Sequence, residues 1–122
     1  ALIVSHTGFN GHCASPRNIS DETMALITEA GGLIGVGFWA DVTCGEGVKA
    51  IADAIRYGID QFGIDHIALG SDWDGSVTTP IDASQLPHLT QALLDKGLSE
   101  AEVRAVMGGN MARFLAQHLP PE

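Results

Sequence analysis

The run HIALGSDWDG (66–75) begins as an apolar strand and closes on two carboxylates, Asp72 and Asp74. A carboxylate at such a strand end can act as a general base or bind a metal ion, and it can equally cap a turn. Asp74, beside Gly75, reads as the cap, which leaves Asp72 as the candidate for chemistry. His6 ends a comparable run, ALIVSH (1–6). An imidazole there is placed to ligate zinc through one nitrogen while a neighbour holds the other, or to serve as an ordinary hydrogen-bonded structural residue. Arg17 follows in the loop after His6. Its planar guanidinium fits a substrate carboxylate in a fork, where a surface ion pair would be worth little. Trp39, Asp41 and Cys44 follow a third apolar run, LIGVGF (33–38). Trp39 can wall a pocket or simply pack.

These side chains act together only if the fold gathers them. ALIV (1–4) and LIGVGF read as strands buried on both faces, and HIALG (66–70) as a third strand. Ser20 is a helix cap, Asp21 and Glu22 suit a first turn, Met24, Leu26, Ile27 and Ala30 form a helical face, and Gly31 and Gly32 end it. WADVTCGEG (39–47) reads as loop. Val48, Ile51, Ala52, Ile55, Ile59 and Phe62 keep helical spacing up to Gly63. A further helix is expected over QLPHLTQALLDKG (85–97). Ser99 and Glu102 form a capping box that opens a last helix over Val103, Val106 and Met107, continued by NMARFLAQHL (110–119). The order βαβαβα implies a parallel sheet with right-handed crossovers. Functional groups of such sheets collect at the C-terminal ends of the strands, so His6, Trp39, Asp41, Cys44 and Asp72 should share one rim. His66 starts its strand and belongs to the opposite, structural end. His12, His88 and His118 have no comparable context.

Three strands are few for a free-standing sheet, which usually has about 4–6. Residues 1–122 are therefore expected to be a single segment of a (β/α)8 barrel, an architecture that needs ~250 residues. The opening in mid-strand without an initiator Met points the same way, to a piece of a longer protein. The net charge of −9 argues against nucleic acid and anionic membrane surfaces as partners. No apolar stretch approaches the ~18 residues of a transmembrane helix. Two cysteines without Cys-x-x-Cys spacing exclude a zinc ribbon.

The segments VSHTGFNGHCASPRNISDE (4–22), GLIGVGFW (32–39), GIDHIALGSDWDG (63–75) and LSEAEVRAVMGGNMARFL (98–115) together resemble the membrane (renal-type) dipeptidases, peptidase family M19. The resemblance spans essentially the whole chain in order. The SH-to-PRN interval and the GSDxDG strand end are its specific parts. It implies a (β/α)8 barrel with two bridged Zn²⁺ ions, whose bridging hydroxide attacks the carbonyl of a dipeptide. Carried over by position, His6 resembles the zinc ligand at the end of the sixth strand. Arg17 resembles the residue that engages the substrate and the tetrahedral intermediate. Asp72 resembles the eighth-strand acid that handles protons. The family's His-x-Asp, bridging Glu and second His belong to earlier strands and have no counterpart in this chain. It thus corresponds to the last three strand–helix units, and by itself is expected to be inactive. Its free edges then call for a partner, either the remainder of a barrel or a second copy in a homo-oligomer. WADVTC departs from an aromatic-rich family segment, so substrate contacts from that loop are open.

Two other readings fit the same residues. One is a different metal-dependent amidohydrolase-type barrel enzyme, a deaminase or lactonase. The other is a non-catalytic α/β module that self-associates. Cys13 and Cys44 lie in adjacent loops and are either bridged or two unrelated buried thiols. The resemblance implies a bridge between these loops.

Overall fold

The sheet is parallel and three-stranded, in the order β1 (Ile3–Thr7), β2 (Leu33–Val36), β3 (Ile67–Leu69), in a computed structural model that describes residues 1–122. The helices are α1 (Asp21–Glu29), α2 (Ala40–Thr43), α3 (Gly47–Phe62), α4 (Leu86–Asp95), α5 (Glu100–Arg104) and α6 (Asn110–His118). The expected βαβαβα order and parallel pairing are therefore present.

Alternation along β2 explains its burial. Ile34 and Val36 point to one face and join Ile67, Ile51, Ile55, Leu89 and Leu93 in the main core. Leu33 points to the other face and meets Ala68 and Phe114. The main core is supplied by α3, whose Ile51 and Ile55 are wholly buried. Each contributes about 1.5–3 kcal/mol by leaving water. The Ser99–Glu102 capping box forms as expected: Glu102 N donates to Ser99 Oγ at 3.2 Å, and Ser99 N donates to Glu102 Oε1 at 3.0 Å. The second bond holds the Glu102 carboxyl below the usual carboxylate range.

Several expectations need correction. β1 is only half-buried, with Ser5 exposed, and Leu2 before it is 56% exposed. It is an edge strand, so only its β2 side and one face are covered, unlike the central β2. The segment after β2 is not all loop: Ala40–Thr43 form one helical turn, closed by Cys44 in a left-handed conformation with φ 56°. His66 lies in a 3₁₀ turn (Ile64–His66) before β3, where its Nδ1 bonds Gly32 O at 3.0 Å. Its structural role at the far end of the sheet stands. The last helix is interrupted. Between α5 and α6 the chain forms a wide π turn, Ala105–Gly109.

The backbone leaves helical values at Gly108 (φ 164°, ψ −30°), and Asn110 opens α6 just after it. Its side chain is wholly buried, and Nδ2 donates to Ile64 O at 2.6 Å and to Ile67 O at 2.8 Å. These carbonyls flank the entry to β3, so α6 is fastened to the N-terminal end of that strand. Arg113 donates to Asp65 O at 2.9 Å beside it. Asn110→Ala is expected to cost about 2–4 kcal/mol by leaving buried carbonyls unpaired. Urea unfolding measures this; an unchanged midpoint would refute the fastening role.

No helix is long and apolar enough to cross a membrane. The outer edges of β1 and β3 have no strand partner. Beside β1, Ala1, Leu2, Leu26, Ile27 and Ala30 line an open apolar groove.

Candidate active site

His6 lies inside β1 as its fourth residue and not after the strand. The reason is a bulge. Val4 pairs with Ile34 and Thr7 with Val36, so Ser5 and His6 together stand opposite Gly35. An extra residue of this kind bends a strand and re-aims its side chains. Ser5 Oγ lies 2.8 Å from His6 Nδ1, a hydrogen bond that fixes the ring. The other nitrogen, Nε2, faces Asp72 Oδ1 at 4.0 Å. The His6 side chain remains 41% exposed and that of Asp72 17%, so both face an open rim.

Asp72 comes after β3 in the left-handed region, with φ 60°. A non-glycine residue there stores strain, and such strain clusters at working sites. The turn is closed by Gly75 N donating to Asp72 O at 3.0 Å. Trp73 anchors the loop that follows: its Nε1 donates to Ile81 O at 2.9 Å, and its ring meets Phe38 edge-on at 5.7 Å. Asp74 is exposed at the turn.

Arg17 reaches the same rim. Its Nη2 donates to His6 O at 3.4 Å, and its guanidinium carbon lies 5.3 Å above the Trp39 ring. Trp39 is 6% exposed and sits 6.1 Å from the His6 ring. The indole therefore walls the site beside His6 and attracts the guanidinium through a cation–π contact. His6, Arg17 and Asp72, named from sequence, thus converge at one edge of the sheet. Asp41 is exposed and no side-chain hydrogen bond ties it to them. It lines a groove of about 280 Å³ with Trp39, Ala40, Ser76, Val77 and Thr78.

Two clamps hold the loops that carry these groups. Cys13 and Cys44 form a disulfide, with Cα atoms 5.4 Å apart. Asn18, next to Arg17, donates from Nδ2 to Cys13 O at 2.9 Å and to Val42 O at 3.0 Å. Sequence reading missed Asn18 although the PRN motif contains it, because an amide adjacent to a charge gives no spacing signal. Ser5 was missed because a lone hydroxyl at the end of an apolar run gives no spacing signal either. Farther out, the Tyr57 hydroxyl and Gly11 N both donate to the Asp21 carboxylate. The bond to that carboxylate, aided by burial and its negative charge, pushes the Tyr57 phenol up to about 12.

The donor set fits part of a metal centre. His6 Nδ1 is held by Ser5 Oγ at 2.8 Å, as a ligating imidazole's outer nitrogen is, and Nε2, 4.0 Å from Asp72 Oδ1, is beyond hydrogen-bond reach of it and so open to an ion. No group of three or more His, Cys, Asp or Glu side chains gathers to hold an ion. The chain alone does not complete a site of three protein ligands.

A family model described as membrane dipeptidase (peptidase family M19) matches residues 2–119. A dipeptidase of Aspergillus terreus is 33% identical over 95% of this chain and 30% of its own length. Among solved structures, dipeptidase AC, a metallo peptidase of family M19, superposes with a TM-score of 0.83 at 29% identity, covering 93% of this chain and 36% of that one. A metallo peptidase of Rhodobacter sphaeroides, liganded with a phosphinate mimic of the dipeptide L-Ala-D-Ala, superposes with a TM-score of 0.84 at 28% identity, covering 94% and 35%. The chain thus spans about a third of the length of these proteins.

Proposed function

As the chain belongs to peptidase family M19, the membrane dipeptidases, a family of metallopeptidases, we propose that it forms the final strand–helix units of a zinc-dependent dipeptidase. The observation that carries this reading is the convergence of His6, Arg17 and Asp72 on one rim, with His6 Nε2 4.0 Å from Asp72 Oδ1. His6 Nε2 would be this chain's ligand to a pair of zinc ions whose other ligands come from other strands. When bound, the zinc pair supplies an activated water and polarises the scissile carbonyl.

The rest is the work of the chain's own residues. Asp72 accepts the proton that the attacking water sheds as it bonds to the carbonyl carbon. It then delivers that proton to the amine nitrogen as the C–N bond breaks. Arg17 spends one N–H on His6 O. The remaining donors of its fork face the negative oxygen that develops and the carboxylate of the dipeptide. Trp39 keeps the guanidinium from swinging out. The groove beside it has room for a small substrate side chain.

The purified 122-residue chain should turn over no dipeptide and bind zinc weakly, because one imidazole and one carboxylate fall short of a complete ligand set. It should also self-associate through the free edges of β1 and β3. Calorimetric zinc titration, a dipeptide assay and light scattering test this. Chelator-sensitive turnover by a monodisperse monomer would overturn it.

A further inference from the structure

The extra residue in β1 has a structural counterpart in its neighbours. A Cβ built on Gly35 would lie 2.3 Å from Ser5 O, and one built on Gly70 would lie 2.1 Å from the same oxygen. Both contacts are with backbone, so neither is relieved by a side-chain rotation. Gly35 is in the central strand and Gly70 directly follows β3. The bulged Ser5 carbonyl therefore lies across two neighbouring strands, in a gap that only two glycines leave open.

The consequence for His6 follows from strand parity. Paired residues share a face of the sheet. In an unbroken register His6 would stand opposite Val36 and point with it toward the buried helix layer, since a one-residue slip reverses every side chain. With the bulge, Thr7 takes that place and is 1% exposed. His6 is left on the rim, facing Asp72.

We propose that Gly35 and Gly70 are positioning residues: by seating the Ser5 carbonyl they maintain the bulge that aims His6 at Asp72. The importance of that aim for catalysis rests on the dipeptidase reading. The geometry does not, and the test reads geometry alone, so an inactive protein would leave it untouched.

The experiment uses nuclear Overhauser contacts between the His6 ring and Asp72, with thermal melting, in the whole chain. Gly35→Ala and Gly70→Ala should each abolish the His6–Asp72 contact and lower the melting temperature, while contacts among Ile51, Ile55 and Leu89 persist. Glu22→Ala is the control, because Glu22 is exposed on α1, and it should leave the contact intact. Deleting Ser5 removes the bulge, so Gly35→Ala added to that deletion should cause no further loss of melting temperature. This background also decides the matter if Gly35→Ala alone fails to fold. Retention of the His6–Asp72 contact in Gly35→Ala, or no relief in the deletion background, would overturn the proposal.

Discussion

Asp72→Asn is expected to lower kcat about 10²–10⁴-fold, the usual worth of a positioned proton carrier, with KM little changed. The setting is a chimera in which residues 2–119 replace the matching segment of the Rhodobacter sphaeroides metallo peptidase, whose fold they superpose on with a TM-score of 0.84. The substitution isolates the chemistry. Asn has the size of Asp and tolerates the left-handed backbone that Asp72 adopts at φ 60°, so the turn to Gly75 survives. What disappears is the carboxylate that takes and returns the proton. Full kcat in the Asn variant would remove Asp72 from the mechanism and leave it as a turn residue.

The second large effect concerns the Cys13–Cys44 bridge. With a sequence separation of 31, its loop-closure contribution is roughly 3–4 kcal/mol in the chain-entropy model. Cys13→Ser with Cys44→Ser should therefore lower the urea midpoint by about 2 M for a domain of this size. The local geometry should change less than the stability, because Asn18 ties the same two loops through Cys13 O and Val42 O. Thiol titration of the denatured, unreduced chain should find no free thiol. Two free thiols, or an unchanged midpoint in the double variant, would contradict the bridge's role.

What could be read from the residues was set by periodicity and punctuation. Helix α3 is plain in the spacing of Ile51, Ile55 and Ile59, and the α5 start in the Ser99–Glu102 box, since each is a local pattern with a local cause. The common rim of His6 and Asp72 was legible too, because parallel order alone fixes which strand ends meet. Burial of β1 was not, as an apolar run does not say whether its neighbours are present. The bulge was hidden for a different reason. It depends on a match between Ser5 and glycines thirty and sixty-five positions away, at 35 and 70. The fastening of α6 likewise depends on carbonyls at Ile64 and Ile67 that Asn110 meets only in three dimensions. The disulfide lay between, with reachable loops but nothing in the spacing that chose between bridge and free thiols.

The dipeptidase reading differs from the deaminase and lactonase readings in what Arg17 is for. Held over Trp39 and bonded to His6 O, its fork has donors to spare for a free substrate carboxylate. The most direct measurement is kcat/KM of the chimera for a dipeptide and for the same dipeptide as its C-terminal amide. A charge-assisted hydrogen bond is worth about 1.5–3 kcal/mol, so the dipeptide should be preferred by roughly 10–150-fold, and Arg17→Leu should erase the preference. Equal rates for acid and amide, or no hydrolysis of either, would contradict a dipeptidase site built on His6, Arg17 and Asp72.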